Sequence, residues 1–107
     1  MAFTRIAFPS LPWSEGPHPL ERKKSSPEYA VALLEFAPGF ADPAWCRRGH
    51  AGLVLAGRFQ VELEGRTEVL QAGEAFVLDP DTPHRAANGG GDLLRLFLLS
   101  SPEDETA

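Results

Sequence analysis

The chain has 107 residues, which suits one domain and leaves no room for a second. Apolar residues make up 43% of it and charged residues 23%, a balance typical of globular proteins that argues against disorder over most of the length. The formal charge of −5 is unfavourable for binding a phosphate backbone, so we expect no nucleic-acid partner.

The sequence carries no recognisable targeting or membrane signal. Residues 1–10 contain neither a long apolar core nor a cleavage pattern, and no apolar run approaches the roughly 20 residues that cross a bilayer. Cys46 is the sole cysteine, so an intramolecular disulfide cannot form. We therefore expect a cytoplasmic protein with no membrane partner.

Residues 1–27 are predicted to form an extended N-terminal arm. Prolines recur between residues 9 and 19, and they exclude a helix and any long strand there. Within the arm, residues 3–8 fit one short strand and residues 21–26 fit a charged loop. The sequence leaves open whether the arm lies on its own barrel or on a partner subunit.

From residue 28 onward, strand-length apolar runs alternate with turn residues. Predicted strands cover residues 29–36, 53–56, 58–63, 67–70, 75–78, 84–87 and 92–99. Gly57 separates the second run from the third, at a natural place for a bulge. Every second residue on both sides of this glycine is apolar, and these residues are therefore predicted to face the core: Leu53, Leu55, Phe59, Val61 and Leu63.

This pattern of short strands and frequent turns predicts an all-β sandwich or barrel over residues 28–100. An acidic tail at residues 101–107 follows it, so the chain forms one domain overall. Residues 29–36 and 93–99 carry apolar side chains on both faces of the strand. Only one face can pack into the barrel core, so the other face must be covered by something else. We therefore expect a homodimer.

The stretch from Gly73 to Asn88 resembles the second conserved motif of the cupin superfamily, G-x5-P-x-G-x2-H-x3-N. Gly73, His84 and Asn88 occupy their motif positions. Asp79 and Asp81 stand where the family has Pro and Gly. The resemblance implies a single-domain jelly-roll β-barrel whose functional site lies inside the barrel.

The first cupin motif, H-x-H-x3-4-E-x6-G, is degenerate in this chain. Counting back from Gly57, the Glu position holds His50 and the second His position holds Cys46. Neither permitted spacing recovers an H-x-H pair. Of the four metal ligands that the resemblance implies, only the one at His84 is present in kind.

The replacement set, Cys46, His50 and His84, consists entirely of residue types that bind metals, and the resemblance implies that these positions point into the cavity. Such a set with an open fourth position suits Zn²⁺ and also admits Fe, Ni, Mn or Cu. No organic cofactor is indicated. Other roles stay open, since Cys46 also fits a small buried apolar residue and both histidines also fit hydrogen bonding to a ligand without metal.

Three neighbouring side chains are candidate ligand contacts. Trp45 fits an aromatic wall of the pocket, although a core or interface position suits it equally. Arg47 and Arg48 both fit the binding of a carboxylate or phosphate, and we expect one of the two at the cavity mouth. Asn88 is predicted to serve the turn before Gly89 by bonding to the backbone.

We favour a barrel that binds a small polar or anionic molecule in its cavity, with a divalent metal as an optional part of the site. The alternative is a metal-dependent enzyme of the dioxygenase or isomerase type, which the missing H-x-H pair disfavours. A third function, an interaction module with a decayed site, is disfavoured by the retained second motif. The sequence leaves open whether any catalysis takes place.

Overall fold

The computed structural model describes residues 3–26 and 30–100, and the tail predicted for residues 101–107 lies outside them. Apart from a 3-10 turn at Phe8–Ser10, the regular elements are strands, so the prediction of an all-β fold is confirmed. None of the described residues forms a helix long and apolar enough to span a membrane. The strands are β1 (Ser14–Glu15), β2 (Glu21–Ser25), β3 (Val31–Phe36), β4 (His50–Ala56), β5 (Arg58–Leu63), β6 (Arg66–Gln71), β7 (Ala75–Leu78), β8 (His84–Asn88) and β9 (Leu94–Ser100).

Two antiparallel sheets form the barrel. One has the strand order β1-β2-β3-β9-β4-β7 and the other the order β6-β5-β8. Isolated bridges from Ala41 to Ala87 and from Cys46 to His84 join the segment after β3 to the edge strand β8. The segment between β3 and β4 thus pairs with part of β8, which leaves less of the β8 edge exposed.

The core between the sheets is built from side chains of both. The rings of Phe36 and Phe40 stack with centroids 4.2 Å apart, and Phe59 packs against Phe76 at 5.0 Å. The buried apolar set is Phe36, Phe40, Val54, Phe59, Val61, Leu78, Leu94 and Leu96. Burying large apolar side chains of this kind contributes roughly 1.5–3 kcal/mol each, which makes this cluster the main source of stability.

The inward face of β4 differs from the prediction. Val54 is 1% exposed, whereas Leu53 and Leu55 are 37% and 43% exposed and lie on the outer face. The prediction was wrong for these two leucines because the register between β4 and β9 shifts after Val54 and Gly57 follows with φ of 84°. This irregularity changes which alternate residues face the core, from even-numbered on β4 to odd-numbered on β5, so Phe59 points inward as predicted.

The N-terminal region also differs from the prediction. Residues 21–25 form strand β2 rather than a charged loop, and residues 3–7 contain no strand. The charged segment is held in a sheet because β2 pairs with β3 along its whole length. Trp13 covers its outer face, with its ring 4.0 Å from the Arg22 guanidinium and 4.8 Å from the Lys24 ammonium.

Glu35 is a buried carboxylate that the sequence did not reveal. It is 1% exposed and lies directly between Arg22 of β2 and Arg95 of β9 in the strand register. Arg22 donates to one carboxylate oxygen at 2.6–2.8 Å, and Arg95 donates to the other. Burial raises the pKa of Glu35, but the hydrogen bonds and charges of the two arginines outweigh this and hold that pKa below its ordinary value.

Candidate metal centre and cavity

A cavity of about 770 Å³, open to solvent, lies between the inner faces of the two sheets. Cavities of this size hold small organic molecules. Apolar side chains such as Leu34, Phe59, Phe76 and Leu98 form much of its wall. Polar side chains are grouped in two places: at the start of β4 together with the loop before it, and along the inner face of β2.

Cys46 and His84 are placed side by side by the backbone. The amide of Cys46 donates to the carbonyl of His84 at 2.8 Å, and the amide of His84 donates back to the carbonyl of Cys46 at 2.9 Å. Residues that exchange both hydrogen bonds in an antiparallel bridge project their side chains to the same face. That face is the cavity, because both residues line it.

His50 approaches the same place from the start of β4. It lies opposite Leu78 of β7 and Ser100 of β9, both of which also line the cavity. Its ring meets that of His84 edge to face, with centroids 5.3 Å apart and an interplanar angle of 79°. The ligand atoms of Cys46, His50 and His84 all lie within 4.8 Å of one another, so the three predicted donors come together.

Hydrogen bonds from the second ring nitrogens orient both histidines. Nδ1 of His84 lies 2.8 Å from the carbonyl oxygen of Thr82, which only accepts, so this nitrogen donates. In the neutral ring, this leaves the lone pair on Nε2. Nδ1 of His50 lies 2.8 Å from Oγ of Ser100. Such partners on the second nitrogen are typical of metal-binding histidines, because they fix the ring orientation.

The electrostatics of the site keep His50 neutral. Burial, the neighbouring His84 ring and the charge of Arg48 together lower the pKa of His50 to about 4. At neutral pH its imidazole is therefore uncharged, so that one ring nitrogen carries a proton and the other keeps a lone pair. A neutral imidazole is the form that ligates metals.

The donor set fits a divalent metal. One sulfur and two imidazole nitrogens are ligands that Zn²⁺ accepts, and His84 is only 4% exposed while Cys46 and His50 are half-buried. The backbone amide of Arg48 donates to Sγ of Cys46 at 3.4 Å and so fixes the position of the sulfur.

The two other predicted ligand contacts lie elsewhere. Trp45 is 46% exposed and stacks with the guanidinium of Arg85 at 4.4 Å, and it does not line the described cavity. Arg47 donates to the carbonyl of Asp81 at 3.4 Å on the exterior. Arg48 lines the cavity, so of the two arginines it is the one that faces the cavity. Side chains alternate in direction along this segment, so Cys46 and Arg48 point into the cavity while Arg47 between them points outward.

Sequence reasoning missed the polar residues that β2 brings to the cavity. Glu21, Lys23 and Ser25 alternate along this strand and all line the cavity. These residues recur at every second position, as expected on one face of a strand. The segment was nevertheless predicted to be a loop because it contains no apolar residue. Asn88 serves the turn as predicted, donating to the carbonyl of Asp92 at 2.8 Å and accepting from the amide of Gly90 at 2.9 Å.

The two-sheet antiparallel barrel is of the cupin-fold class. The sequence model of the cupin domain matches residues 32–100, and the chain belongs to this family. Curated proteins provide no match.

Solved structures share the fold over most of their length. KdgF from Halomonas sp. is 26% identical with a TM-score of 0.76, and the match covers 99% of this chain and 100% of that one. The polyketide cyclase RemF from Streptomyces resistomycificus is 21% identical with a TM-score of 0.74, covering 92% and 79%. Drosophila melanogaster CENP-C, solved bound to CAL1, is 19% identical with a TM-score of 0.70, covering 85% and 76%.

Proposed function

We propose that this protein binds a small polar or anionic molecule in its barrel cavity through a divalent metal held by Cys46, His50 and His84. The observation that carries the proposal is the convergence of these three donors on the wall of a cavity large enough for such a molecule. The fourth coordination position would be open to the ligand.

Each residue has a distinct part in this proposal. The sulfur of Cys46 and Nε2 of His84 would hold the metal, with Nε2 of His50 as the third donor. When bound, a divalent metal would supply Lewis acidity toward an oxygen of the ligand. The carbonyl of Thr82 holds the His84 ring in the tautomer that leaves Nε2 free. Without a metal, His84 would be the better general base of the two histidines.

The alternative is a metal-dependent cupin enzyme of the dioxygenase or isomerase type. A site with three protein ligands and a free position is typical of catalytic rather than structural zinc. Among the cupins of similar fold, RemF is a polyketide cyclase. Turnover of a candidate substrate by the metal-loaded protein, absent from the metal-free protein, would favour this alternative over simple binding.

The deciding experiment is metal content, measured by elemental mass spectrometry on tag-free protein. Near-stoichiometric Zn, Fe, Ni, Mn or Cu is expected in the wild type and less than a tenth of that in a Cys46→Ala, His50→Ala double variant, because roughly two thirds of the donor set is gone. His18→Ala is the matched control, since His18 packs against Phe40 outside the cavity, and it should keep the metal. No metal in the wild type, or equal metal in the double variant, would overturn the proposal.

We also propose that the protein forms a homodimer through the outer face of the six-stranded sheet. Leu53, Val77 and Leu99 lie on this face with exposures of 37%, 74% and 45%. They belong to β4, β7 and β9, and β7 is the edge strand of the sheet. A contiguous apolar face next to an open strand edge is the kind of surface that a second copy covers.

A further inference from the structure

The polar inner face of β2 lies across the cavity from the donor cluster. Lys23 is opposite Leu34 of β3 in the register, and both line the cavity. In the strand register, Lys23 is level with Val54 of β4, and His50 lies four residues further along that strand. The two residues are thus separated by roughly 14 Å across three strand spacings and by about 13 Å along the strands. A ligand that reaches both places therefore needs a body of several carbon atoms.

The wall between these two polar places is apolar. Leu34 of β3 and the pair Leu96 and Leu98 of β9 lie between the two polar places in the sheet. Phe59 lines the cavity from the other sheet, and Phe76 lines it from β7, next to β4. Apolar surface of this kind gains about 25 cal/mol for each Å² that a ligand removes from water. It favours a hydrocarbon or aromatic body over a sugar with a hydroxyl on every carbon.

Lys23 is the cation on this wall that is available to a ligand. Its ammonium makes no hydrogen bond or ion pair with other residues in the ranges 3–26 and 30–100. Of the described residues that line the cavity, two are acids, and each accepts a hydrogen bond from a backbone amide: Asp42 from Ala86 at 2.9 Å, and Glu21 from His18 at 3.4 Å.

We propose that the ligand is an organic acid with an apolar body, and that Lys23 pairs with its carboxylate while a second oxygen lies at the Cys46, His50 and His84 centre. This inference rests on the proposed function and names the ligand class of the same site. Lys23 is the residue that selects the acid over the corresponding neutral compound.

The test compares two probes that differ in one group. Both 8-hydroxyoctanoate and 1,8-octanediol carry a hydroxyl oxygen for the metal end, and only the first carries a carboxylate. Binding of each to the full zinc-loaded chain is measured by isothermal titration calorimetry. We expect the wild type to bind 8-hydroxyoctanoate about threefold to fivefold more tightly, because Lys23 is exposed and solvent weakens an exposed charge pair.

Three variants make the comparison specific. Lys23→Gln should bind the two probes equally, and Lys23→Arg should restore the preference. Arg66→Gln removes the same charge from an exposed position on β6 and should keep the preference. Equal binding of both probes by the wild type, or a preference that survives in Lys23→Gln, would overturn the inference.

The two proposals fail in different ways. Zinc content is measured on the same samples before titration, and thermal melting confirms that each variant is folded. Failure of the wild type to hold zinc or any of the other four metals would count against the proposed function alone, because the Lys23 comparison still decides whether the cavity selects an acid. Bound zinc without a Lys23-dependent preference would count against the inference alone.

Discussion

Cys46 and His84 exchange two backbone hydrogen bonds, of 2.8 and 2.9 Å, across the junction between the loop after β3 and strand β8. The backbone therefore holds the sulfur and the imidazole on one face of the barrel without help from a metal. Such preorganisation lowers the free energy needed to assemble the site, because the two side chains lose little further freedom when they bind.

The low pKa of His50 predicts acid sensitivity of the metal-free protein. Because burial, His84 and Arg48 lower this pKa from 6.5 to about 4, the unfolded chain binds a proton in that pH window that the folded protein does not. The free energy of unfolding should thus fall as the pH drops from 6.5 to 4, by about 1–2 kcal/mol once the partial exposure of the ring is allowed for.

Two measurements check this prediction. Long-range ¹H–¹⁵N spectra of EDTA-treated protein should show the His50 ring titrating near pH 4. Urea unfolding at several pH values should show a smaller dependence on pH in His50→Gln than in the wild type. A His50 ring that titrates near its ordinary pKa of 6.5 would contradict the prediction.

Replacing Glu35 should destabilise the barrel. Glu35→Gln leaves Arg22 and Arg95 facing a neutral group in a position that is 1% exposed. We expect a loss of about 1–3 kcal/mol in the free energy of unfolding, below the full value for a buried pair because both guanidinium groups are partly exposed. Urea unfolding measures this loss.

The control for Glu35 is another glutamate with an arginine partner. Glu68 pairs with Arg66 at 3.2 Å, and both side chains are more than half exposed. Glu68→Gln should change the free energy of unfolding by less than about 1 kcal/mol. Equal effects of the two substitutions would show that burial of Glu35 contributes nothing to its role.

Gly57 should tolerate no side chain. Its φ of 84° disfavours any L-residue, and an added Cβ would lie 2.5 Å from the carbonyl oxygen of Leu93. Gly57→Ala should therefore lower the free energy of unfolding by about 2–4 kcal/mol. Gly73 has a similar φ of 92°, but an added Cβ there meets no described atom within 4 Å.

Comparing Gly57→Ala with Gly73→Ala separates the cost of backbone strain from the cost of a steric clash. Gly73→Ala should lower the free energy of unfolding by only about 1 kcal/mol, since it carries the backbone strain alone. Thermal or urea unfolding of both variants provides the comparison. If Gly57→Ala were no worse than Gly73→Ala, the close approach of Leu93 would have no energetic consequence.

A charge on the outer face should dissociate the proposed homodimer. Val77 is 74% exposed on edge strand β7, and Val77→Asp would place a carboxylate in the apolar interface. Light scattering coupled to size exclusion should report a dimer mass for the wild type and a monomer mass for the variant. Val69→Asp is the control, because Val69 is 50% exposed on the other sheet and its change should leave the dimer intact. A monomeric wild type would refute the proposal.

The all-β class and much of the donor cluster followed from local signals in the sequence. Period-two alternation and turn residues are properties of adjacent positions, so they predicted the strands around residues 58–63 and 75–78 at their observed bounds. The match to the cupin pattern at Gly73, His84 and Asn88 pointed to the barrel, and the remaining spacing pointed to Cys46 and His50.

Only the tertiary structure decided which faces these residues present. Because of the bulge near Gly57, even-numbered residues of β4 and odd-numbered residues of β5 face the core. Pairing with β3 makes the charged segment from Glu21 to Ser25 a strand that lines the cavity. Glu35 is buried because Arg22 and Arg95 lie beside it on neighbouring strands that are remote in sequence. Such outcomes depend on strand partners and register, which are long-range properties that no local pattern encodes.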